Sequence, residues 1–191
     1  MQNLKDITSR KDISTFLNAQ GLTNFGVEVG VLRGDFSKHI LSTWTGKKLY
    51  LVDAWRQFDS NVDINNGNHI VQLQNIAECF KNIYEFKERA VIIRETSRDA
   101  SNLFPDGSLD FVYIDSAHDY EHTLEDLNIW YPKIRKGGLF CGDDYLDGLM
   151  LNPGATVFGV ESAVTDFAKE KSLEIVSTTH YGEFPQWWCI K

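Results

Sequence analysis

The stretch that decides the fold is FGVEVGVLRGDFS, residues 25–37, an apolar run that turns over glycines into a helical pattern. Gly30 and Gly34 permit backbone conformations, and a close approach to a ligand, that a side chain would obstruct. The helix that follows offers unpaired backbone N–H groups in its first turn. The stretch therefore predicts a strand, a ligand-binding turn and a helix in succession.

Three further apolar runs end in carboxylates. They are residues 49–53, 110–115 and 138–144, and their terminal acids are Asp53, Asp115, Asp143 and Asp144. Asp53 follows the glycine turn by about 20 residues, the spacing at which an acid meets a ribose in nucleotide-binding α/β folds. Because the carboxyl ends of parallel strands lie along one edge of a sheet, we expect these acids to converge on one crevice.

The rest of the chain alternates strand-like and helical patterns, which predicts an α/β fold with a doubly wound, mostly parallel sheet covered by helices on both faces. Residues 1–24 are predicted to form a leading helical segment that packs on the sheet. Two closing strands, residues 172–178 and 186–191, would make one strand antiparallel. We expect residues 1–191 to form one domain, since chains of this length commonly have a single core.

A helix predicted from His69 onward has its apolar residues on one face, a pattern typical of a helix that packs on a core. These residues are Ile70, Leu73, Ala77, Phe80 and Tyr84. The polar loop before the helix, residues 54–68, follows the strand that ends at Asp53. Such a loop is expected to hang over the crevice at the strand ends.

Composition limits the classes of partner. With 19 Lys and Arg against 27 Asp and Glu the net charge is −8, which leaves no counterion-release term for binding a phosphate backbone, so we expect no nucleic-acid partner. The 3 cysteines form no C-x-x-C pair and indicate neither a disulfide framework nor a zinc site. No apolar run approaches the ~20 residues needed to span a bilayer. We therefore expect a cytoplasmic protein without a membrane partner.

The ordered set of motifs resembles that of class I S-adenosylmethionine-dependent methyltransferases, in the small-molecule O-methyltransferase branch with its macrocin-type and catechol-type members. The resemblance covers about residues 25–190 and is carried by Glu28-x-Gly30-x-x-x-Gly34, Asp53, YIDSAHDY at 113–120, Gly137-Gly138 and GDDY at 142–145. It implies a seven-stranded Rossmann-like sheet with one antiparallel strand. A dinucleotide-binding protein is the main rival, but the G-x-G-x-x-G fingerprint is absent.

The resemblance also implies which residues bind S-adenosylmethionine. They are Glu28 near the methionine end, Gly30 and Gly34 in the turn, Asp53 at the ribose, Ser97 and Arg98 at the adenine, and Asp115. A carboxylate at Asp53 can accept hydrogen bonds from both ribose hydroxyls. Each residue also has a structural alternative: the two glycines permit close helix-to-strand packing, and Ser97 can act as a local helix cap.

Asp115, Asp143 and Asp144 form a candidate metal site. Three carboxylates at neighbouring strand ends would repel one another unless they were protonated or bridged by a cation. Oxygen ligands favour Mg²⁺, or else Mn²⁺ or Ca²⁺. The alternative is that Asp143 or Asp144 caps a turn while Asp115 orders a loop. In metal-dependent members of the family that the chain resembles, the positions that match these three acids hold the ion.

His118, three residues after Asp115, is the candidate general base, because a histidine beside acids has a pKa range suited to accepting a proton near pH 7. The resemblance places the base at this position, with His122 one helical turn further on. His118 and Asp115 are thus the predicted catalytic residues, and a metal would lower the pKa of the acceptor hydroxyl.

The alternatives left open are a metal-independent methyltransferase with His118 as base and a non-catalytic cofactor-binding protein. The acceptor is expected to be a small molecule, recognised by residues 54–68, by residues 145–158 and by a second subunit if the protein forms a homo-oligomer. Trp55, in the first of these loops, is interpreted as a wall of the acceptor pocket.

Overall fold

The computed structural model describes residues 3–58, 66–149, 157–178 and 184–191. The strands are β1 Phe25–Val29, β2 Lys48–Val52, β3 Ala90–Ile93, β4 Leu109–Ile114, β5 Ile134–Gly142, β6 Val176–Ser177 and β7 Trp187–Ile190. The helices are α1 Ile13–Ala19, α2 Asp35–Thr43, α3 His69–Ile83, α4 Ser97–Ser101, α5 Tyr120–Trp130 and α6 Val160–Lys171. Short 3₁₀ helices include Leu4–Asp6 and Arg10–Asp12 in the leading segment.

The predicted doubly wound sheet with one antiparallel strand is confirmed. Its seven strands lie in the order β3-β2-β1-β4-β5-β7-β6. The pairings among β1 to β5 are parallel, and β7 is antiparallel to both β5 and β6. Since the order reverses between β1 and β4, the sheet has a topological switch point there, where ligands of open α/β folds bind.

The core lies on both faces of the sheet because the central strands are apolar on both sides. Along β4, which is buried throughout, Phe111 and Tyr113 pack into one cluster with α1 and α2. Val112 and Ile114 pack into the other with α5 and α6. The alternation follows from the two-residue period of a strand. It explains why residues 111–114 form a continuous apolar run that ends at Asp115.

Backbone hydrogen bonds align the strand ends that carry the candidate site. Gly30 N donates to Val52 O at 2.9 Å, Asp115 N to Val29 O at 2.7 Å and Asp143 N to Ile114 O at 3.0 Å. Each of these donors is the first residue after its own strand, and it bonds to the last residue of the neighbouring strand. The glycine turn and the acids are therefore held in register along one edge, as the sequence predicts.

The leading segment is part of the folded structure. Ile7, Ile13 and Leu17 are buried, and Trp188 Nε1 on β7 donates to Leu4 O at 3.1 Å. The predicted packing of this segment on the sheet is confirmed. Among the described residues, none of the helices is both long and apolar enough to cross a membrane.

Helix α3 turns a different face to the core than its apolar pattern suggests. Its buried residues are Gln72, Asn75, Cys79 and Ile83. The apolar row is exposed instead, with exposed fractions of 68% for Ile70, 48% for Leu73, 55% for Phe80 and 69% for Tyr84. On this buried face Arg33 Nε of the glycine turn donates to Asn75 Oδ1 at 3.2 Å, so a polar contact lies where the apolar pattern predicts solvent.

Several sequence predictions fall partly on residues outside the described ranges. These residues are 59–65 of the predicted crevice loop, 150–156 of the second recognition loop and 179–183 of the closing reversal.

The orientation of α3 predicts unequal costs for truncating two neighbouring apolar side chains. Ile83→Ala should lower the free energy of unfolding by about 2–4 kcal/mol, because it leaves a cavity in the core. Phe80→Ala removes an exposed ring and should change it by only about 0.5 kcal/mol. Urea denaturation of both variants measures the difference. Equal costs would show that the apolar row is buried and that the orientation of α3 is wrong.

Candidate active site

A cavity of about 520 Å³ opens at the carboxyl edge of the sheet, over the switch point between β1 and β4. Its size is within the range of small-molecule and cofactor sites. Of the residues predicted to bind a cofactor, Gly30, Asp53, Ser97, Arg98 and Asp115 line it. Glu28 and Gly34 are not among the described residues in its wall.

The two glycines of the turn have different roles. Gly30 has φ +87°, and a Cβ on it would lie 1.7 Å from the carbonyl oxygen of Asp115, so no other residue fits. Gly34, with φ +74°, caps the start of α2, and a Cβ there would come within 3.0 Å of Cys79 Sγ. Gly30 thus shapes the cavity, whereas Gly34 packs against α3.

Asp53 holds the glycine turn from the end of β2. Its Oδ2 accepts hydrogen bonds from Val31 N at 3.0 Å and Leu32 N at 2.9 Å, and its Oδ1 accepts one from Trp55 N at 2.8 Å. Burial raises the pKa of Asp53, and these three donors act against that shift. Since each carboxylate oxygen has a second lone pair and Asp53 lines the cavity, the group can also accept from a ligand.

The interpretation of Trp55 as a wall of the acceptor pocket is wrong. Its side chain is 1% exposed and packs in the core, and its Nε1 donates to Leu32 O at 2.7 Å. The residue adopts a φ of 39°. The hydrogen bond to Leu32 O joins the buried indole to the glycine turn.

Glu28 lies on β1 with 1% of its surface exposed. Ser37 Oγ of α2 donates to its Oε2 at 2.5 Å, so the pair ties β1 to the helix after the glycine turn. Burial raises the pKa of Glu28 to about 8. Its predicted role at the methionine end of a cofactor stays a prediction.

Ser97 takes part in a buried network beside the cavity. It donates to Asp126 Oδ1 and accepts from Trp130 Nε1 at 2.8 Å, while Ser116 Oγ donates to Asp126 Oδ2 at 2.5 Å. Burial raises the pKa of Asp126 to about 6. Asp126 also lines the cavity, and sequence reasoning missed it, although an acid on the buried side of α5 is itself a signal.

The rim of the cavity is charged. Arg98 Nη2 lies 2.5 Å from Glu125 Oε1, and His122 Nδ1 lies 2.8 Å from Asp119 Oδ2. The hydrogen bond to Asp119 raises the pKa of His122. Both Arg98 and His122 line the cavity, so His122 is closer to the predicted cofactor than its place one turn beyond His118 suggests.

Next to the cavity, Asp115, His118 and Asp144 form a group whose ligand atoms all lie within 4.8 Å of one another. His118 Nε2 is 2.8 Å from Asp144 Oδ2, and its ring stacks on Phe158 at 4.6 Å between centroids. The three residues and Asp143 border a void of about 10 Å³, which is the scale of one water molecule or ion. The structure thus brings the predicted base and acids together.

Asp143 has partners of its own in this cluster. Arg10 Nη1 lies 2.5 Å from its Oδ2, and Gln186 Nε2 donates to its Oδ1 at 3.0 Å. Arg10 Nη1 is also 3.7 Å from Asp115 Oδ2. Burial and the charges of Asp143 and Asp144 raise the pKa of Asp115 to about 8. The group whose ligand atoms lie within 4.8 Å thus contains His118 where the sequence predicted Asp143. The sequence gave no sign that Arg10 would lie in this cluster.

Comparison with known proteins places the chain in a family. A model of a methyltransferase domain family matches residues 27–145. A stretch of 43 residues is 40% identical to uncharacterized protein R132 of Acanthamoeba polyphaga mimivirus, and it covers 22% of this chain and 19% of that protein. The match with this curated relative thus spans about a fifth of its length.

The fold is similar to that of solved methyltransferases. For an O-methyltransferase from Bacillus cereus in complex with SAH, the TM-score is 0.65 at 13% identity, over 100% of this chain and 83% of that one. For the O-methyltransferase TomG from Streptomyces achromogenes in complex with SAM, the TM-score is 0.62 at 10% identity, over 100% of this chain and 82% of TomG. For an rRNA methylase from Streptococcus thermophilus, the TM-score is 0.65 at 11% identity, over 97% of this chain and 98% of that one.

The likeness to solved structures establishes the class I methyltransferase fold, and the family model spans more than half of the chain. Its match runs from β1, before the glycine turn, to the acids after β5, and so includes both the cavity and the carboxylate cluster. The chain therefore belongs to the methyltransferase domain family.

Proposed function

We propose that the protein is an S-adenosylmethionine-dependent O-methyltransferase that methylates a hydroxyl group of a small molecule of the sugar or phenol type, assisted by a divalent ion. The observation that carries this proposal is the position of Asp115. Asp115 borders both the cofactor-sized cavity and the ion-sized void that His118 and Asp144 share. A methyl donor in the one and an acceptor oxygen at the other would therefore be neighbours.

The chemistry of the cavity wall suits S-adenosylmethionine. Acidic side chains line the cavity and favour a cofactor that carries sulfonium and ammonium charges. They include Asp53, Asp115, Asp119, Glu125 and Asp126. Asp53 would accept hydrogen bonds from the ribose hydroxyls while it holds the glycine turn. The sulfonium makes the methyl group electrophilic, so the protein's task is to align the acceptor oxygen and remove its proton.

The cluster beside the cavity can accept that proton. His118 Nε2 lies against Asp144 Oδ2, so the carboxylate would orient the imidazole and stabilise the imidazolium formed on proton uptake. Asp115 and Asp144 would hold the divalent ion, with Asp143 at its side. His118 would act as the base and not as a ligand, since a ring nitrogen that binds an ion cannot accept a proton. A bound ion lowers the pKa of a coordinated hydroxyl. Carboxylate ligands suit Mg²⁺ or Mn²⁺.

A second candidate is metal-independent methyl transfer, in which the His118 and Asp144 pair alone acts as the base. The observation that favours it is Arg10, which supplies positive charge to Asp143 and Asp115 without any ion. The net charge of −8 supports a small acceptor over RNA in both cases, although some solved structures of similar fold are described as rRNA methylases.

The first test is transfer of a labelled methyl group from S-adenosylmethionine to sugars, phenols and ribosomal RNA, with Mg²⁺, with Mn²⁺ and with EDTA. We expect product from a small-molecule hydroxyl with Mg²⁺ or Mn²⁺ and none with EDTA. Undiminished transfer in EDTA would favour the metal-independent candidate. Methylation of RNA alone would contradict the small-molecule proposal, and cofactor binding without any transfer would favour a non-catalytic protein.

The cofactor site predicts that Asp53→Ala weakens S-adenosylmethionine binding by ~1.5–3 kcal/mol, the scale of lost charge-assisted hydrogen bonds. Calorimetry measures the affinity. Trp55→Phe is the matched control, because it removes one hydrogen bond to the same turn without touching the cavity. The control should lower the melting temperature while cofactor affinity stays close to that of the unmodified protein. Equal losses of affinity in both variants would assign Asp53 a purely structural role.

The base predicts that His118→Ala lowers kcat by ~10²–10⁴-fold, the usual contribution of general-base catalysis, with cofactor affinity nearly unchanged. Steady-state kinetics and calorimetry measure the two quantities. His122 borders the cofactor cavity, so the matched control is His69→Ala, an exposed histidine at the start of α3. If His118→Ala kept full activity, the proton acceptor would have to be another residue.

A further inference from the structure

Arg10 brings a positive charge from the leading segment to the carboxylate cluster. Its Nη1 lies 2.5 Å from Asp143 Oδ2 and 3.7 Å from Asp115 Oδ2. The guanidinium carbon also lies 5.2 Å from the centre of the Phe36 ring, within the range of a cation–π contact. The residue is separated from Asp143 by 133 positions in the sequence, so only the fold brings them together.

The position of Arg10 is fixed by local structure. Asp12 Oδ2 accepts hydrogen bonds from Thr8 N at 3.0 Å and Ser9 N at 3.1 Å, which closes the turn that presents the arginine. Ile7 before it and Ile13 after it are buried in the core. The backbone at residue 10 is therefore fixed, and the contact with Phe36 helps to orient the guanidinium toward Asp143.

The charge at this place matters because the acids are close together. Asp143 keeps only 9% of its side chain exposed, and the Arg10 side chain keeps 37%. Arg10 brings a full positive charge to the carboxylates of Asp143 and Asp115, whereas Gln186 offers Asp143 a neutral donor. Like charges at this separation raise one another's pKa and attract any available cation.

We propose that Arg10 is a positioning residue that acts as the fixed counter-cation of the carboxylate cluster and weakens its affinity for a divalent ion. By pairing with Asp143 it leaves the carboxylates of Asp115 and Asp144 for the ion. It also places a positive charge next to any ion bound there. The inference rests on the proposed function for the identity of that site, but it concerns ion affinity rather than turnover.

The test is calorimetric titration of the full chain with Mn²⁺. Two neutral variants are compared, Arg10→Ala and Arg10→Gln, of which the second keeps a longer side chain. Each should bind Mn²⁺ roughly 10-fold more tightly than the unmodified protein, because a repelling charge is gone. Arg10→Lys keeps the charge and should bind nearly as the unmodified protein does. Tight Mn²⁺ binding by the neutral variants alone would also support the inference.

The matched control is Arg135→Ala, which breaks another arginine–aspartate pair at the opposite end of β4. Arg135 Nε lies 2.6 Å from Asp110 Oδ1, and its side chain is 39% exposed. This control should reduce stability and leave Mn²⁺ affinity unchanged. Equal Mn²⁺ affinity in the neutral Arg10 variants and the unmodified protein, or no binding by any of them, would overturn the inference. Methyl transfer by the unmodified protein tests the proposed function separately.

Discussion

The close approach of Gly30 to the backbone of Asp115 is the contact on which the arrangement of the site depends. A side chain at Gly30 would overlap the carbonyl oxygen of Asp115, so the glycine lets the ends of β1 and β4 stay in register. That register makes Asp115 a shared boundary of the cofactor cavity and the carboxylate cluster. The cavity and the cluster are adjacent because two strands that are distant in sequence are neighbours at the switch point of the sheet.

The second constraint is electrostatic. The strand ends bring acids together at the edge of an acidic protein, and each acid is stabilised by a different partner. Backbone N–H groups surround Asp53, Arg10 and Gln186 hold Asp143, and His118 pairs with Asp144. Asp115 has Arg10 only at the longer distance of 3.7 Å, and burial together with the charges of Asp143 and Asp144 raises its pKa to about 8. This carboxylate lies between the cavity and the void, where a cationic cofactor or a divalent ion would stabilise it.

Much of the fold and the location of the site could be predicted from local sequence pattern. Apolar runs that end in an acid determine the strand ends, and parallel strands bring those ends to one edge, so Asp53, Asp115, Asp143 and Asp144 could be assigned to one crevice. The long-range contacts could not be predicted. Arg10 reaches Asp143 across 133 positions, and α3 buries a face that carries the polar contact between Arg33 and Asn75, which apolar periodicity ignores. Trp55 was misplaced because a polar loop gives no sign that its indole packs in the core and bonds to Leu32 O.

The most direct test of the proposed site is a crystal structure of the protein with S-adenosylhomocysteine. We expect the nucleoside to fill the cavity over the switch point, with both ribose hydroxyls within hydrogen-bond distance of Asp53. We also expect the sulfur to face the cluster of Asp115, His118 and Asp144. A ligand bound outside this cavity, or one whose sulfur points away from that cluster, would contradict the proposed site.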